Sequence, residues 1–565
     1  MGLPQSLKNR KLFIIALGLF SFILLFTFKA EYQTADSIGY AYSIKTGTGL
    51  FHPHHLLYNP VVRILFLLTS RIIEPGNAVF PGQIYNILWA IVTVMASFIL
   101  IQRLFNSPIF GLLFAVFLLV SRGIWEIATQ NTVYLPAIGS LVLLVTVMAA
   151  FADTEQTIKK NIILSLLLAL AILNHQINVL FCIPLAYYLF VTNRKFRIRN
   201  MVLVLLLAAI IVFLTYFLLF IITKPNWTFA KFYRYCFLYA TYPQPDWGTF
   251  THFGHTGVYH FLRSQVWNLV VISDRFQSNA AAIFGVILTG IVIWNIMRIY
   301  RHAVLSQFRI MLLIWLGVYS IFFLWWLPTY THPLVITLFP IVCLGYIAIK
   351  DFAEFGTKLK LNTKIIGEIV LGIIIIIMVV NLNQAILPLH RSKGALYQEA
   401  VKLDALVPKT SVIFTDYTVR EYLRYYFNRE NAFAAEVPML DFYQTRHFTR
   451  EYLTEKDECL IPLSNVIPTY QCTKFTGYTN PHEWRKYIEW LFDCQYDAEH
   501  KLVNCHQFKL IIAPDGTPYL DLSSSKIELH GLSELFLMLD KQIIDSYHLG
   551  TNPFQSWLNT TLPKP

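Results

Sequence analysis

A carboxylate, three imidazoles and a phenol fall close together just beyond the first apolar stretch of the chain. The run Glu31-Tyr-Gln-Thr-Ala-Asp36-Ser is followed by Leu50-Phe-His52-Pro-His54-His55-Leu-Leu-Tyr58-Asn59-Pro60. A carboxylate within about 2.6–3.2 Å of a hydroxyl can take its proton in the transition state. Neighbouring imidazoles and cations can hold a phosphate or, with a carboxylate, a divalent ion. Further polar residues recur at later boundaries of apolar runs: Trp125-Glu126, Asn131-Thr-Val-Tyr134, Asn174-His175-Gln-Ile-Asn178 and Tyr330-Thr-His332-Pro333. The long segment 224–278 adds Arg234 and Arg263 among many aromatic residues. Each has a structural alternative. Asp36 with Ser37 could cap a helix, and aromatic residues gather at the headgroup level of any membrane protein.

The elements that must position these groups are membrane helices. The 565 residues are 56% hydrophobic and 14% charged, against about 25% charge in a soluble domain, and the mean hydropathy is +0.51. Apolar runs of the roughly 20 residues that a bilayer demands recur up to about residue 387. The net charge of +12 comes largely from short basic loops, which set topology and give no reason to expect a nucleic-acid partner. Lys8, Arg10 and Lys11, the Asn193–Arg199 run, Arg298–Arg309 and Lys350, Lys358, Lys360 and Lys364 all fall on the cytoplasmic side if Leu56–Ile73 lies in the interface instead of crossing. About eleven transmembrane helices are then expected, near 12–30, 83–102, 109–125, 133–151, 161–174, 177–192, 200–222, 279–297, 310–327, 333–349 and 365–387. The polar groups above all face outward.

Residues 391–565 carry ordinary charge and no span-length run. They read as a soluble α/β domain, with helices at Ala395–Leu406, Val419–Phe427, Pro481–Phe492 and Leu532–Ile544 and strands at Ser411–Thr415 and Phe508–Ala513. Cys459, Cys472, Cys494 and Cys505 suggest two disulfides and an oxidising compartment. Wide spacings without a close C-x2-C pair count against a zinc site. The chain thus divides into a membrane module, 1–390, and an extracytoplasmic domain, 391–565. Within the module, 31–82 and 224–278 are the larger outer segments.

This layout resembles the GT-C superfamily of integral-membrane glycosyltransferases, and its motifs resemble protein O-mannosyltransferase-like members. Asp36-Ser37 with His52-Pro53 and Tyr58 is similar to their first-loop pattern. Glu126 with Val133-Tyr134 is similar to their Glu-Val-Tyr element, although here the Glu is displaced. Asn174-His175 is similar to an Asn-His element between later spans. The resemblance implies transfer of a sugar from a polyprenyl-phosphate carrier, with inversion, to a protein, lipid or glycan hydroxyl. It implies Asp36 as general base, with Glu126 as a second catalytic carboxylate. His52, His54, His55, Tyr58, Tyr134, His175, Asn178, Arg234, Arg263 and His332 are then candidates for the donor site. No obligate cofactor is expected, although Asp36, His54 and His55 could share a divalent metal ion. Two other readings stay open. One is an envelope ligase or polymerase using a lipid-diphosphate donor, and the other a transporter, against which the gathering of polar groups at one face argues. The expected location is a bacterial inner membrane, with the ER membrane as alternative.

Overall fold

The structure is a computed structural model. It describes residues 5–71, 76–152, 157–192, 197–224, 227–237, 248–299, 303–358, 363–406, 412–415, 417–429, 432–434, 458–462, 495–496, 502–512 and 518–529. Two compact units emerge. One comprises Met1–Gln33 and Tyr40–Ser392, the other Thr34–Gly39 with Lys393–Pro565.

The first unit is helical. Its helices are α1 (Gln5–Thr27), α2 (Ala35–Thr46, whose first turn belongs to the second unit), α3 (Tyr58–Thr69), α4 (Val79–Phe105), α5 (Pro108–Val120), α6 (Arg122–Thr129), α7 (Tyr134–Phe151), α8 (Ile158–Asn174), α9 (Cys182–Thr192), α10 (Arg197–Thr223), α11 (Phe229–Cys236), α12 (His255–Leu269), α13 (Asp274–Met297), α14 (Ala303–Trp326), α15 (Thr331–Lys358), α16 (Thr363–Asn381) and α17 (Leu387–Arg391). Among the described residues, seven helices are long and apolar enough to cross a membrane, or eight if the bent α5–α6 pair counts as one span. The chain is an integral membrane protein. The expected eleven exceeds this count for a physical reason. α1 covers 23 residues, of which Lys11–Thr27 enter this count; Gln176–Thr192 is short, and the 17-residue α8 opens on Lys159 and Lys160. Seventeen residues rise only about 26 Å at 1.5 Å each, short of a 30 Å hydrocarbon core. α3 has 12 residues, about 18 Å, too few to cross.

Burial separates centre from rim. In α7 and α15, 78% of the apolar window is buried, against 17% in α10 and 11% in α13. Local chemistry sets the breaks. Ser107 accepts a hydrogen bond from the Phe110 amide and Pro108 follows it, so α5 starts there. Ser121 adopts an extended backbone, and α6 leaves α5 at 62°. The Val120 carbonyl freed by that bend accepts from Asn381 Nδ2 at 2.9 Å. The same amide donates to Leu269 O at 2.9 Å, and its oxygen takes the Val271 amide at 3.0 Å. One fully buried asparagine therefore joins α5, α12 and α16.

The second unit contains α18 (Ala395–Leu406), α19 (Tyr417–Phe427) and a six-stranded sheet. Its strands are β1 (Val412–Thr415), β2 (Ala432–Ala434), β3 (Glu458–Pro462), β4 (Gln495–Tyr496), β5 (Leu502–Ile512) and β6 (Pro518–Leu529). The order is β2-β1-β3-β6-β5-β4, with β1 parallel to β2 and β3 and the remaining pairs antiparallel. The expected helices at 481–492 and 532–544 lie outside the described residues. So do Cys472 and Cys494; Cys459 is on β3 and Cys505 on β5.

Candidate active site

α6 brings Glu126 to the end of the first unit where α7 and α15 begin. One carboxylate oxygen accepts from Arg122 Nε at 3.2 Å, one helical turn back. The other meets Gln130 Nε2 and His332 Nε2, each at 3.4 Å. A carboxylate can only accept, so His332 carries its proton on Nε2. The Arg122 guanidinium lies 3.6 Å over the Trp267 ring, a cation–π contact that fixes it beside Glu126. All three ionisable side chains are nearly buried, at 11% exposure for Arg122, 12% for Glu126 and 14% for His332. Burial and then the Glu126 charge push the Tyr32 phenol up from its ordinary value.

Aromatic rings extend the cluster. Tyr134 donates to the Tyr330 hydroxyl at 3.3 Å. Its ring stacks on His175 at 5.5 Å and faces His332 at 6.2 Å. His175 Nδ1 accepts the Ile177 amide, which leaves its proton on Nε2.

On the other side of His175 lies the first loop. The His52 and His55 rings stack at 4.5 Å, and His52 and His54 lie 5.3 Å apart. Burial lowers His52 to about 4. Burial, then His52 and His175, lowers His54 to about 2. His55 is held well below its usual value by burial and the neighbouring histidines. Burial and then His52 take His175 to about 4. These imidazoles are neutral near pH 7. Among the described residues no three His, Cys, Asp or Glu side chains are grouped to hold a metal ion.

A buried amide network sets the frame. Tyr58 donates to Asn131 Oδ1 at 2.7 Å. Asn86 Nδ2 bridges Gln130 O and Thr132 O at 2.7 and 2.8 Å, and Gln83 Nε2 ties Ala30 O to Thr129 O at 2.7 and 2.8 Å. The Asn131 amide donates to Gln33 Oε1 at 2.9 Å. The ends of α1, α4 and α6 are thereby sewn together. Gly82 is required for this, since a Cβ there would stand 1.8 Å from Asn131 Oδ1.

The remaining expected residues take other places. Asn178 is fully buried, and its Nδ2 donates to Ala137 O at 3.0 Å and Ala171 O at 2.8 Å, joining α7 to α8. Arg234 is exposed on α11. Arg263 is half-buried on α12, where its charge acts on His260. Asp36 lies half-buried in the first turn of α2. There Thr34 Oγ1 accepts the Ser37 amide at 3.2 Å, and the helix N-terminus favours an anion. This turn belongs to the second unit, where Glu421 Oε2 is 3.4 Å from the position of a Gly39 Cβ. Sequence reasoning missed Arg122 and Gln130. The Arg122–Glu126 spacing of four, which pairs side chains on one helix face, was the available signal.

Residues 52–220 match the family model of dolichyl-phosphate-mannose-protein mannosyltransferases. The match contains the histidine loop, Glu126, Tyr134 and His175, and excludes Asp36 and His332. A comparison with curated proteins finds no match. Among solved structures, the chain is similar to ArnT from Cupriavidus metallidurans bound to undecaprenyl phosphate, with a TM-score of 0.52 and 12% identity over 91% of this chain and 97% of that one. It is also similar to the archaeal oligosaccharyltransferase AglB from Archaeoglobus fulgidus, in complex with an inhibitory peptide and a dolichol-phosphate. There the TM-score is 0.51 at 9% identity, over 91% of this chain and 74% of that one. The resemblance to GT-C superfamily glycosyltransferases, and to protein O-mannosyltransferase-like members among them, therefore holds in the family match over 52–220 and in the shared fold.

Proposed function

We propose that this chain is a glycosyltransferase that moves a sugar from a polyprenyl-phosphate donor to an acceptor hydroxyl on the outer face of a membrane. One observation carries the reading. The stretch that matches the mannosyltransferase family model contains the histidine loop, Glu126, Tyr134 and His175, and these side chains converge at one end of the helices. In this account the apolar segments Lys11–Thr27 and Gln176–Thr192, together with α8, also cross, making eleven spans. The basic loops then lie in the cytoplasm, and the site and the tail lie outside, in a bacterial inner membrane.

The acceptor oxygen attacks the anomeric carbon as the bond from that carbon to the phosphate oxygen breaks, which inverts the centre. Polyprenyl phosphate leaves with the bonding pair, and Asp36 takes the acceptor proton. Developing charge on the phosphate needs preorganised donors. His175 offers an N–H group, His332 holds Glu126 in place, Tyr58 and Tyr134 frame the sugar, and His52, His54 and His55 line the approach. Arg122 supplies a fixed cation next to Glu126. Arg234 and Arg263 meet the headgroup at the rim, while Asn178 holds the wall behind.

A second reading, transfer of a whole glycan from a lipid-diphosphate carrier, draws on the similarity in fold to an oligosaccharyltransferase. Release of polyprenyl phosphate by the purified protein, assayed across polyprenyl-phosphate sugars with envelope extract as acceptor, tests the proposal. Turnover only with lipid-diphosphate glycans would favour the second reading.

A further inference from the structure

The segment that carries Asp36 is gripped on both sides by residues to which the scheme above gives no role. Leu389 and His390 grip it on entry, from the end of α17. The last carbonyls of a helix lack partners within it, and here Leu389 O accepts the Glu31 and Tyr32 amides, each at 2.9 Å. His390 Nδ1 donates to Lys29 O at 2.7 Å. A carbonyl only accepts, so this imidazole carries its proton on Nδ1. Its ring meets Phe28 edge-on at 6.0 Å. A π-helical turn, Leu382–Ile386, leads into α17, a form frequent at functional sites.

After Gln33 the chain passes into the second unit for the six residues Thr34–Gly39. Asp36 and Gly39, three residues apart, are neighbours on one face of α2. α19 of the same unit meets that face. A Cβ at Gly39 would stand 3.4 Å from Glu421 Oε2 and 3.7 Å from its Cδ, so the carboxylate lies in contact with the helix. Glu421 is 3% exposed. Its other oxygen accepts from Arg420 Nε at 2.9 Å and from Arg420 Nη2, and the guanidinium lies 4.6 Å over the Tyr417 ring. A two-pronged pair of this kind neutralises the buried charge and fixes the side chain, so Glu421 presents a rigid wall to α2. The two grips flank one short connection in the chain, where Ser392 is extended and Gly394 takes a φ of +87°, a backbone conformation that glycine adopts without strain.

We infer that His390 and Glu421 are positioning residues for Asp36. His390 pins the segment that enters the Asp36 turn, Glu421 backs the turn itself, and the tail thereby completes the catalytic site. This rests on the reading of Asp36 as the base. A general base works only within hydrogen-bond reach of the acceptor hydroxyl, and a small misplacement of such a group is costly. Loosening either grip should therefore lower kcat and leave the donor KM nearly unchanged, since the donor groups His175 and Tyr134 belong to the first unit.

Two measurements on the full-length protein test this. The first is amide hydrogen exchange read by mass spectrometry, which needs no substrate. Glu421→Ala should speed exchange across residues 35–40 about ten-fold, and His390→Ala should do the same across 29–33, while peptides of α7 exchange as in wild type. Unchanged exchange at 29–40 overturns the inference, and equal acceleration in α7 would mark general damage and overturn it too. The second is steady-state release of polyprenyl phosphate from polyprenyl-phosphate sugars. Glu421→Ala and His390→Ala should each lower kcat about ten-fold with donor KM within about two-fold of wild type. Glu421→Gln, which keeps the shape and can still accept from Arg420, should recover most of the loss seen in Glu421→Ala. Gly39→Leu, whose side chain runs into Glu421, should lower kcat as well, and adding Glu421→Ala to it should restore part of the rate. A fall in kcat matched by an equal rise in donor KM, or no recovery in either rescue, overturns the positioning role. Faster exchange at 29–40 in a protein that turns over none of these donors would overturn the functional reading and leave the two grips standing.

Discussion

Glu126→Gln removes the charge on which the Arg122 cation leans, and the geometry sets the size of the effect. At the 3.2 Å Arg122–Glu126 separation the Coulomb attraction is about 5 kcal/mol for an effective dielectric of 20. Desolvation of both groups offsets much of that. A net coupling of about 1–3 kcal/mol remains, in the range measured for neighbours in one network. The single substitutions should be unequal. Glu126→Gln leaves Arg122 as a buried cation with only the Trp267 face for compensation. Losing one partner of a buried pair costs about 3–5 kcal/mol, and the cation–π contact offsets about 1–2 kcal/mol, so the expected loss is about 1–4 kcal/mol. Arg122→Met leaves Glu126 with His332 and Gln130 and should cost less.

The assay is a double-mutant cycle on detergent-solubilised protein, followed by thermal and denaturant unfolding. Glu126→Gln should be the worse single variant, and Glu126→Gln with Arg122→Met should fall close to Arg122→Met alone. Additivity within about 0.5 kcal/mol, or a larger cost for Arg122→Met, would refute the reasoning.

Other substitutions test the frame. Gly82→Ala drives a methyl into Asn131 Oδ1 and should cost about 1–3 kcal/mol; Asn131→Ala in the same chain should recover part of the thermal stability, and no recovery would contradict the packing. Asn381→Leu strands two carbonyls and an amide at the α5–α6 bend. Each unpaired buried group costs about 1–3 kcal/mol, so unfolding should shift markedly, and a neutral result would refute the clasp. His52 and His175 are lowered to about 4, so the unfolded chain takes up protons below its ordinary pKa of about 6.5 while the folded chain does not. Stability should be full above pH 6.5 and fall as pH drops toward 4, by about 1–3 kcal/mol per histidine. His175→Asn should flatten that slope in a pH series of melting curves, and an unchanged slope would count against burial as the cause.

The membrane module was legible because its helices announce themselves by apolar length, and because polar residues at their ends had few structural uses at membrane depth. Glu126, Tyr134, His175 and His332 came together from three distant parts of the chain for that reason. Asn178 carries the same signal, yet its amide is spent on carbonyls of α7 and α8. Sequence spacing cannot separate a ligand amide from a helix clasp. Arg234 and Arg263 stood out because they sit in a long loop, while Arg122, one turn from Glu126, was hidden inside an apolar run. The expected eleven spans exceed the seven or eight long apolar helices because three shorter apolar segments were counted with them. In the tail, β5 begins at Leu502, six residues before the expected strand. Asn504, His506 and Gln507 dilute the apolar pattern there, and β6 mixes Asp521 and three serines into its length.

The most direct test of the central claim is polyprenyl phosphate release by wild type and Asp36→Asn, run side by side with matched melting curves. The account predicts turnover with one polyprenyl-phosphate sugar that falls at least about 100-fold in Asp36→Asn, the scale of a lost general base, while folding and donor binding persist. Undiminished release by Asp36→Asn would contradict the assignment of the base and pass the role to Glu126. Absence of both turnover and binding for every lipid-phosphate sugar would contradict the reaction itself.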